Sequence, residues 1–209
     1  MDKVKRYIPY LLLTGLTLFF CRMFVGRYGI FGAKVDWLSQ HSVLPDYFRQ
    51  QFYATGKLFP EFAANLGGGQ NIYHFAYYGL YSPLILPSYL LPFVKMSDYI
   101  MAVSITGLTA SVLLFYYWLK SRKTDAGTAF ILSLMFLLAG PMIGQYSGQI
   151  MFVDYMPFLC LALIGVDRYF EQEKKWPFYN QCISDDHDQF LFQYWWNAGI
   201  GSLWPAPVF

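Results

Sequence analysis

Charged residues are scarce in this chain: Asp, Glu, Lys and Arg make up 13% of its 209 residues, against ~25% in a typical soluble domain. This deficit argues against an ordinary soluble domain and against a disordered segment. The formal net charge is only +2, which is too small to indicate an acidic partner. We therefore expect no nucleic-acid partner.

Cysteine is also rare. The chain has three, Cys21, Cys160 and Cys182, and they are widely spaced with no CxxC pair. This number and spacing predict neither a disulfide framework nor a zinc site. P-loop, GxSxG and HExxH motifs are also missing from the sequence, so no familiar catalytic motif can be assigned. We predict no metal site, the sequence identifies no cofactor, and a requirement for a divalent cation stays open.

Long apolar runs are what the sequence does have, with 56% hydrophobic and 21% aromatic residues. A membrane-spanning helix needs roughly 20 mostly apolar residues. The runs predict an all-α membrane protein with about four transmembrane helices, at residues 7–25, 99–119, 126–143 and 149–170. The first run could instead be a cleaved signal peptide. Its C-terminal end at residues 19–22 has large side chains where a cleavage site needs small ones, which favours an uncleaved anchor. Gly140-Pro141 should end or kink the third span.

Basic residues predict the orientation, because Lys and Arg collect on the cytoplasmic side of membrane proteins. Nine of the 15 fall in three short segments on one side of the predicted spans: Lys3, Lys5, Arg6, Lys120, Arg122, Lys123, Arg168, Lys174 and Lys175. The N-terminus is therefore expected in the cytoplasm, with residues 26–98 outside the cell membrane. The predicted segments are 1–6 (cytoplasmic), 26–98 (extracellular), 120–125 (cytoplasmic), 144–148 (outer loop) and 171–179 (cytoplasmic).

The long outer segment, residues 26–98, is patterned like a folded loop with amphipathic helices. Apolar residues recur at roughly helical spacing over 37–52, where Pro45 indicates two short helices and Gly56 a stop. Three glycines at 67–69 predict a tight loop, which could let a backbone approach a ligand or could be a simple turn. Residues 75–95, rich in aromatics and interrupted by prolines, are predicted to form a helix lying on or re-entering the outer leaflet. The alternative is that this segment packs in the protein core.

Two carboxylates at the predicted outer face are candidate catalytic groups. Asp36 follows the first span by about ten residues, and partial desolvation there would raise its pKa towards the range useful for a general base. The alternative is that Asp36 caps a helix. Asp154 interrupts an apolar run at the outer edge of the fourth span, where ionisable groups are costly and usually functional. It could instead reach water at the interface.

Polar residues in the same outer segment are candidates for binding a substrate phosphate. Arginine suits bidentate phosphate binding best. Each of these residues could equally be an ordinary surface residue. The predicted substrate-binding residues are Gln40, His41, Arg49 and His74, and Lys34 is a further cationic candidate.

Five segments, taken in their order along the chain, resemble the bacterial YfhO family of multi-span membrane proteins. The resemblance covers about residues 5–178. It is carried by Val35-Asp36-Trp37-Leu38-Ser39-Gln40, Asn65-Leu66-Gly67-Gly68-Gly69, Tyr81-Ser82-Pro83, the stretch 149–158 and Gly165-Val166-Asp167-Arg168-Tyr169.

This resemblance implies a GT-C-like N-terminal part and a glycosyltransferase activity. Such enzymes take a sugar from a polyprenyl-phosphate donor at the outer membrane face, and the acceptor would be a cell-wall polymer or glycolipid such as lipoteichoic acid. By the GT-C pattern, the catalytic acidic residue after the first span matches Asp36. Asp154 matches an acidic position in a later outer loop. A non-catalytic membrane component, such as a transporter piece, an assembly factor or a nonfunctional remnant, is the alternative.

The last thirty residues, 180–209, differ in character from the rest, with no Lys or Arg and three of the six tryptophans. We predict that they are read out of frame, which would make the chain a truncated and inactive fragment. In the frame shifted by one base, Trp195-Trp196-Asn197 gives Gly-Gly and the Asp/His run at 185–188 gives only Met, Ile or Thr. The alternative is a genuine tail whose Asp/His run binds metal, although adjacent ligands seldom converge on one ion.

Overall fold

The structure is a computed structural model, and it describes residues 2–28, 32 and 34–172. Contacts within the chain divide it into two units, Met1–Leu161 and Ala162–Phe209. Within the second unit the described residues are 162–172, which are helical. The predicted out-of-frame tail, residues 180–209, lies outside the described residues.

Helices make up most of the described chain, as the sequence predicts. The α-helices are α1 (Asp2–Tyr28), α2 (Lys34–Asp36), α3 (Val43–Thr55), α4 (Met96–Ser121), α5 (Ala126–Leu138), α6 (Gly140–Gly148) and α7 (Ile150–Gln172). A π-helical turn at Trp37–His41 and two 3-10 helices, Ile72–Tyr78 and Leu86–Leu90, lie between α2 and α4. Two short strands, β1 (Phe62–Ala63) and β2 (Gln70–Asn71), lie in the same region, between α3 and the first 3-10 helix.

The core of the first unit forms where α4 packs against α1 and α5. Leu13, Ile100, Val112 and Leu137 are almost completely buried there. Buried hydroxyls in these helices donate to carbonyls one turn earlier, as Thr17 does to Leu13 at 2.8 Å. Such internal bonds satisfy polar groups where no water is at hand, which is what a helix in lipid requires.

One of the described helices, α4, is long and apolar enough to cross a membrane. Its bounds, Met96–Ser121, enclose the predicted span 99–119. α1 and α7 likewise enclose or nearly enclose the predicted first and fourth spans. The number of four spans stays a prediction.

The predicted third span, residues 126–143, is not one continuous helix. α5 ends at Leu138, Ala139 is extended, and α6 starts at Gly140. Pro141 lies in the first turn of α6, where its missing N–H breaks no helical hydrogen bond. Residues 144–148, predicted as an outer loop, are therefore the second half of this new helix.

Residues 37–55 form the two short helical pieces that the sequence predicts. The π-helical turn ends at His41, and α3 runs from Val43 to Thr55. Pro45 lies in the first turn of α3, where proline is tolerated. Gly56 ends α3 in the left-handed conformation and donates to the Phe52 carbonyl at 2.8 Å, as expected of a helix stop.

The three-glycine loop joins β1 and β2 into an antiparallel hairpin. Gly67, Gly68 and Gly69 all have positive φ, at 57°, 82° and 98°. Gly69 donates to the Leu66 carbonyl at 2.9 Å. The hairpin adds a small β element to the predicted all-α fold, and its internal hydrogen bonds account for the glycines as turn residues.

The prediction of a single helix over residues 75–95 is wrong. Two short 3-10 helices stand there, separated by turns from Gly79 to Ile85. Gly79 adopts a left-handed φ of 106°, and Pro83, Pro87 and Pro92 each remove a backbone donor. The left-handed Gly79 ends the first 3-10 helix, and the three prolines remove further donors that a continuous α-helix would use.

Candidate functional site

The candidate catalytic residue, Asp36, directly precedes the π-helical turn Trp37–His41. The turn is closed by a hydrogen bond from the Ser42 N–H to the Trp37 carbonyl at 3.0 Å. Trp37 and His41 both point into the protein and are 2% exposed. π-helical turns are rare and occur frequently at functional sites. The polar residues on this turn are therefore held by a buried aromatic anchor.

Asp36 is half-buried at the end of α2. It has helical backbone angles and its side chain makes no capping hydrogen bond, so the structure does not support the alternative that it is a helix cap. Its negative charge acts on two neighbours: it opposes part of the lowering of the His41 pKa by burial, and it adds to the raised pKa that burial gives Tyr78. Asp36 is thus a carboxylate whose charge acts on a buried imidazole and a buried phenol.

His41 is the most unusual group at the site because a polar ring is buried without full hydrogen bonding. Its Nδ1 has no hydrogen-bond partner among the described residues. Its ring lies 5.2 Å from that of Tyr78 and 6.2 Å from that of Trp37, centroid to centroid. Burial lowers the pKa of His41 and the Asp36 carboxylate offsets part of this effect. An unsatisfied buried nitrogen costs about 1–3 kcal/mol, so a ligand that bonds to it would recover that energy.

Gln40 and Tyr78 connect the turn to the first 3-10 helix. The Tyr78 hydroxyl donates a hydrogen bond to Gln40 Oε1. Burial raises the pKa of this hydroxyl, and the neighbouring Tyr77 and Asp36 raise it further, so Tyr78 stays protonated and remains a donor. The structure therefore brings Asp36, Gln40 and His41 together with one residue from a distant segment.

Tyr78 is the site residue that the sequence did not identify. It lies 38 residues from Gln40 and belongs to a tyrosine-rich run, whose composition is typical of the membrane interface. No local spacing rule connects two segments so far apart. The one local signal was the glycine that follows Tyr78, because it ends the 3-10 helix and fixes where the tyrosine stands.

Arg49 and His74, two predicted substrate-binding residues, are placed differently. Arg49 is buried in α3, and its guanidinium bonds to the Leu91 and Val94 carbonyls and, at 2.6 Å, to Asp46. These bonds use its donors to join α3 to the segment before α4. His74 is exposed on the first 3-10 helix. Their substrate-binding role stays a prediction.

Asp154, the second candidate catalytic residue, lies in the first turn and a half of α7. Its side-chain environment is outside the described part of the structure. Within the described residues, no group of three or more His, Cys, Asp and Glu side chains could hold a metal ion. The Asp/His run at 185–188 lies beyond those residues.

A comparison with protein families gives one finding that bears on identity. The family described as "Bacterial membrane protein YfhO" matches residues 8–183. The matched range covers most of the chain and includes the π-helical turn, the hairpin, both 3-10 helices and α7. Nothing among the curated proteins or the solved structures matches the chain.

Proposed function

Because the chain belongs to the YfhO family of bacterial membrane proteins, we propose that it derives from a polyprenyl-phosphate-sugar-dependent glycosyltransferase of the GT-C type. The sugar acceptor would be a cell-wall polymer or glycolipid, such as lipoteichoic acid. Asp36 is the proposed general base. The observation that carries this assignment is a half-buried carboxylate, free of a capping bond, beside a buried histidine with an unsatisfied nitrogen.

The proposed step is the transfer of a sugar from phosphate to a hydroxyl. The oxygen of the acceptor hydroxyl forms a bond to the anomeric carbon, and Asp36 takes the proton from that hydroxyl. The bond between that carbon and the donor phosphate oxygen breaks, and polyprenyl phosphate leaves with the electron pair. General base catalysis of this kind contributes about 10²–10⁴-fold in rate.

His41 and Gln40 are proposed to bind the sugar. The His41 Nδ1 needs a hydrogen-bond partner, and a sugar hydroxyl can donate or accept one. The Gln40 amide is fixed by Tyr78, which leaves its NH₂ group oriented and able to donate. Prepositioned polar groups of this kind select a substrate because an analogue without the matching hydroxyl leaves them unpaired.

The membrane location fits the two proposed substrates. A polyprenyl donor is held in the bilayer with its phosphate at the headgroup level, while a polymer acceptor is in water. The candidate turn is separated from the end of α1 by eight residues, which include α2, so it lies near in sequence to where a spanning helix would leave the bilayer. We propose that this side is extracellular, with the N-terminus in the cytoplasm. Asp154 is proposed as a second acidic group on the same side.

The test replaces Asp36 with Asn in this chain and makes the matching change in a longer family member, because this chain is predicted to be an inactive fragment. Both proteins are expressed in membranes. Sugar transfer from a radiolabelled polyprenyl-phosphate sugar to endogenous acceptor is measured, and we expect the variant to lose at least about 10²-fold in rate. Asp98→Asn is the matched control, because Asp98 is an exposed carboxylate in the first turn of α4 and should keep full transfer.

The same assay separates this proposal from the alternative of a non-catalytic membrane component. Retained transfer in Asp36→Asn would show that Asp36 is not the general base. No transfer by the unaltered chain, together with transfer by a longer family member under the same conditions, would favour the non-catalytic interpretation. Asp154→Asn in the longer protein then tests the second carboxylate independently.

A further inference from the structure

The segment between the second 3-10 helix and α4 exposes two large apolar side chains. Leu90 is 82% exposed and Phe93 is 81% exposed, more than any other large hydrophobic side chain in the described part of the chain. Both lie within six residues of Met96, where α4 begins. Among the described helices, α4 is long and apolar enough to cross a membrane, so its first residues are where the chain would enter the bilayer.

This segment is held in place from behind by α3. Arg49 is 6% exposed, and its Nη1 donates to the Leu91 carbonyl at 3.2 Å and the Val94 carbonyl at 2.9 Å. The Tyr53 hydroxyl donates to the Tyr89 carbonyl. These bonds fix the backbone on both sides of Leu90 and Phe93, so the exposure of the two side chains is built into the fold.

A cleft of about 420 Å³ opens between α3 and the start of α4. Its charged lining residues are Asp46, Arg49 and Lys95. Asp46 pairs with Arg49 at 2.6 Å, so these two charges balance. Lys95 is exposed at the cleft, and its charge leaves the cleft net positive.

We propose that residues 90–95 are a membrane anchor that inserts Leu90 and Phe93 into the leaflet and binds the headgroup of an anionic phospholipid at Lys95. The apolar side chains remove surface from water at the interface, as in interfacial helices. A lysine beside them extends its stem over the apolar surface and places its ammonium at the level of the lipid phosphates. The proposal requires only that α4 enters the membrane, and it does not depend on the glycosyltransferase assignment.

The first test measures depth with nitroxide labels at single cysteines, in a background whose native cysteines are replaced by alanine. The full chain is reconstituted in vesicles of phosphatidylcholine with phosphatidylglycerol. Labels at Phe93→Cys and Leu90→Cys should be more accessible to oxygen than to a water-soluble nickel chelate. Glu61→Cys, exposed in the hairpin segment, is the aqueous reference. Ala102→Cys, exposed on α4 and about 9 Å further along the helix, is the lipid reference.

The second test concerns the headgroup. Raising the phosphatidylglycerol fraction should draw the label at Phe93→Cys deeper, and Lys95→Gln should abolish this dependence. Lys57→Gln, which removes another exposed lysine of the outer segment, should leave it intact. The label's spectrum in Lys95→Gln should keep the native mobility in phosphatidylcholine alone, which shows that the segment is still folded.

Three results would overturn the proposal. Labels at 90 and 93 with the accessibility of Glu61→Cys would place the segment in water. A label depth that does not respond to phosphatidylglycerol, or that responds equally in Lys95→Gln, would rule out the proposed headgroup contact at Lys95. Displacement of the phosphatidylglycerol effect by a small mole fraction of polyprenyl phosphate would show that the occupant is a specific phosphate lipid and not the bulk bilayer lipid.

Discussion

At the scale of a single residue, His41 should make folding stability depend on pH just below neutrality. Burial lowers the pKa of this imidazole in the folded protein, whereas in the unfolded chain the pKa is about 6.5. The unfolded chain therefore binds the proton more readily. The stability that neutral His41 preserves is fully present above the unfolded pKa, and it is lost as the pH falls below that value towards the folded pKa.

The measurement is thermal unfolding in detergent micelles at a series of pH values from about 5 to 8. The unaltered chain should lose stability below about pH 6.5, and His41→Gln should flatten this part of the curve. His74→Gln is the control, because His74 is exposed and its removal should leave the curve unchanged. A curve flattened by His74→Gln and not by His41→Gln would contradict the assignment.

The same scale shows which parts of the site a sequence can predict. Asp36, Gln40 and His41 lie within six positions, so any local helical structure keeps them near one another. The role of Arg49 depends on its partners in the segment 91–94, some 42–45 residues away, and an arginine in a sequence looks the same whether its donors meet a carbonyl or a phosphate. Tyr78 was missed for the same reason.

At the scale of the element, Gly79 should be needed for the turn that separates the two 3-10 helices. It has a left-handed φ of 106°, and an added Cβ would lie 2.9 Å from Ile85 Cγ1. Gly79→Ala should therefore destabilise the protein by about 1–3 kcal/mol, from backbone strain and the contact with a buried side chain. Because Tyr78 precedes this glycine, the variant should also disturb the bond to Gln40.

The check is the thermal midpoint of Gly79→Ala beside that of Gly15→Ala. Gly15 lies inside α1, and a Cβ added there would meet nothing within 4 Å. Alanine at position 15 should therefore be neutral or slightly stabilising, by up to about 1 kcal/mol. Equal midpoints in the two variants would show that the turn at residue 79 tolerates a side chain.

Elements were predictable from sequence where one local feature dominates. Length and apolarity predict α4, and Gly56 predicts the end of α3. Residues 75–95 have the composition of an interfacial helix, yet Gly79 and three prolines break the run into 3-10 turns. The break between α5 and α6 was visible as Gly140-Pro141, but the sequence pattern did not show that helix would resume immediately, as it does through Gly148.

At the scale of the whole molecule, the placement of the chain across the membrane can be predicted from where its charges collect. Lys120 lies in the last turn of α4, and Arg122 and Lys123 lie in the turn between α4 and α5. Asp125 caps α5 by accepting from the Thr128 N–H at 2.9 Å. The residues between α1 and α4 carry few cations over a much longer stretch. A turn this rich in Lys and Arg is expected to remain in the cytoplasm.

Labelling of single cysteines in intact cells tests this orientation. In a background whose native cysteines are replaced by alanine, a membrane-impermeant maleimide should label Glu61→Cys and spare Ser121→Cys until the cells are opened. Both positions are exposed, so a difference reports on the side of the membrane and not on burial. The reverse pattern would place Asp36 and His41 in the cytoplasm, where an acceptor polymer outside the cell could not reach them, and the glycosyltransferase proposal would fail together with the topology.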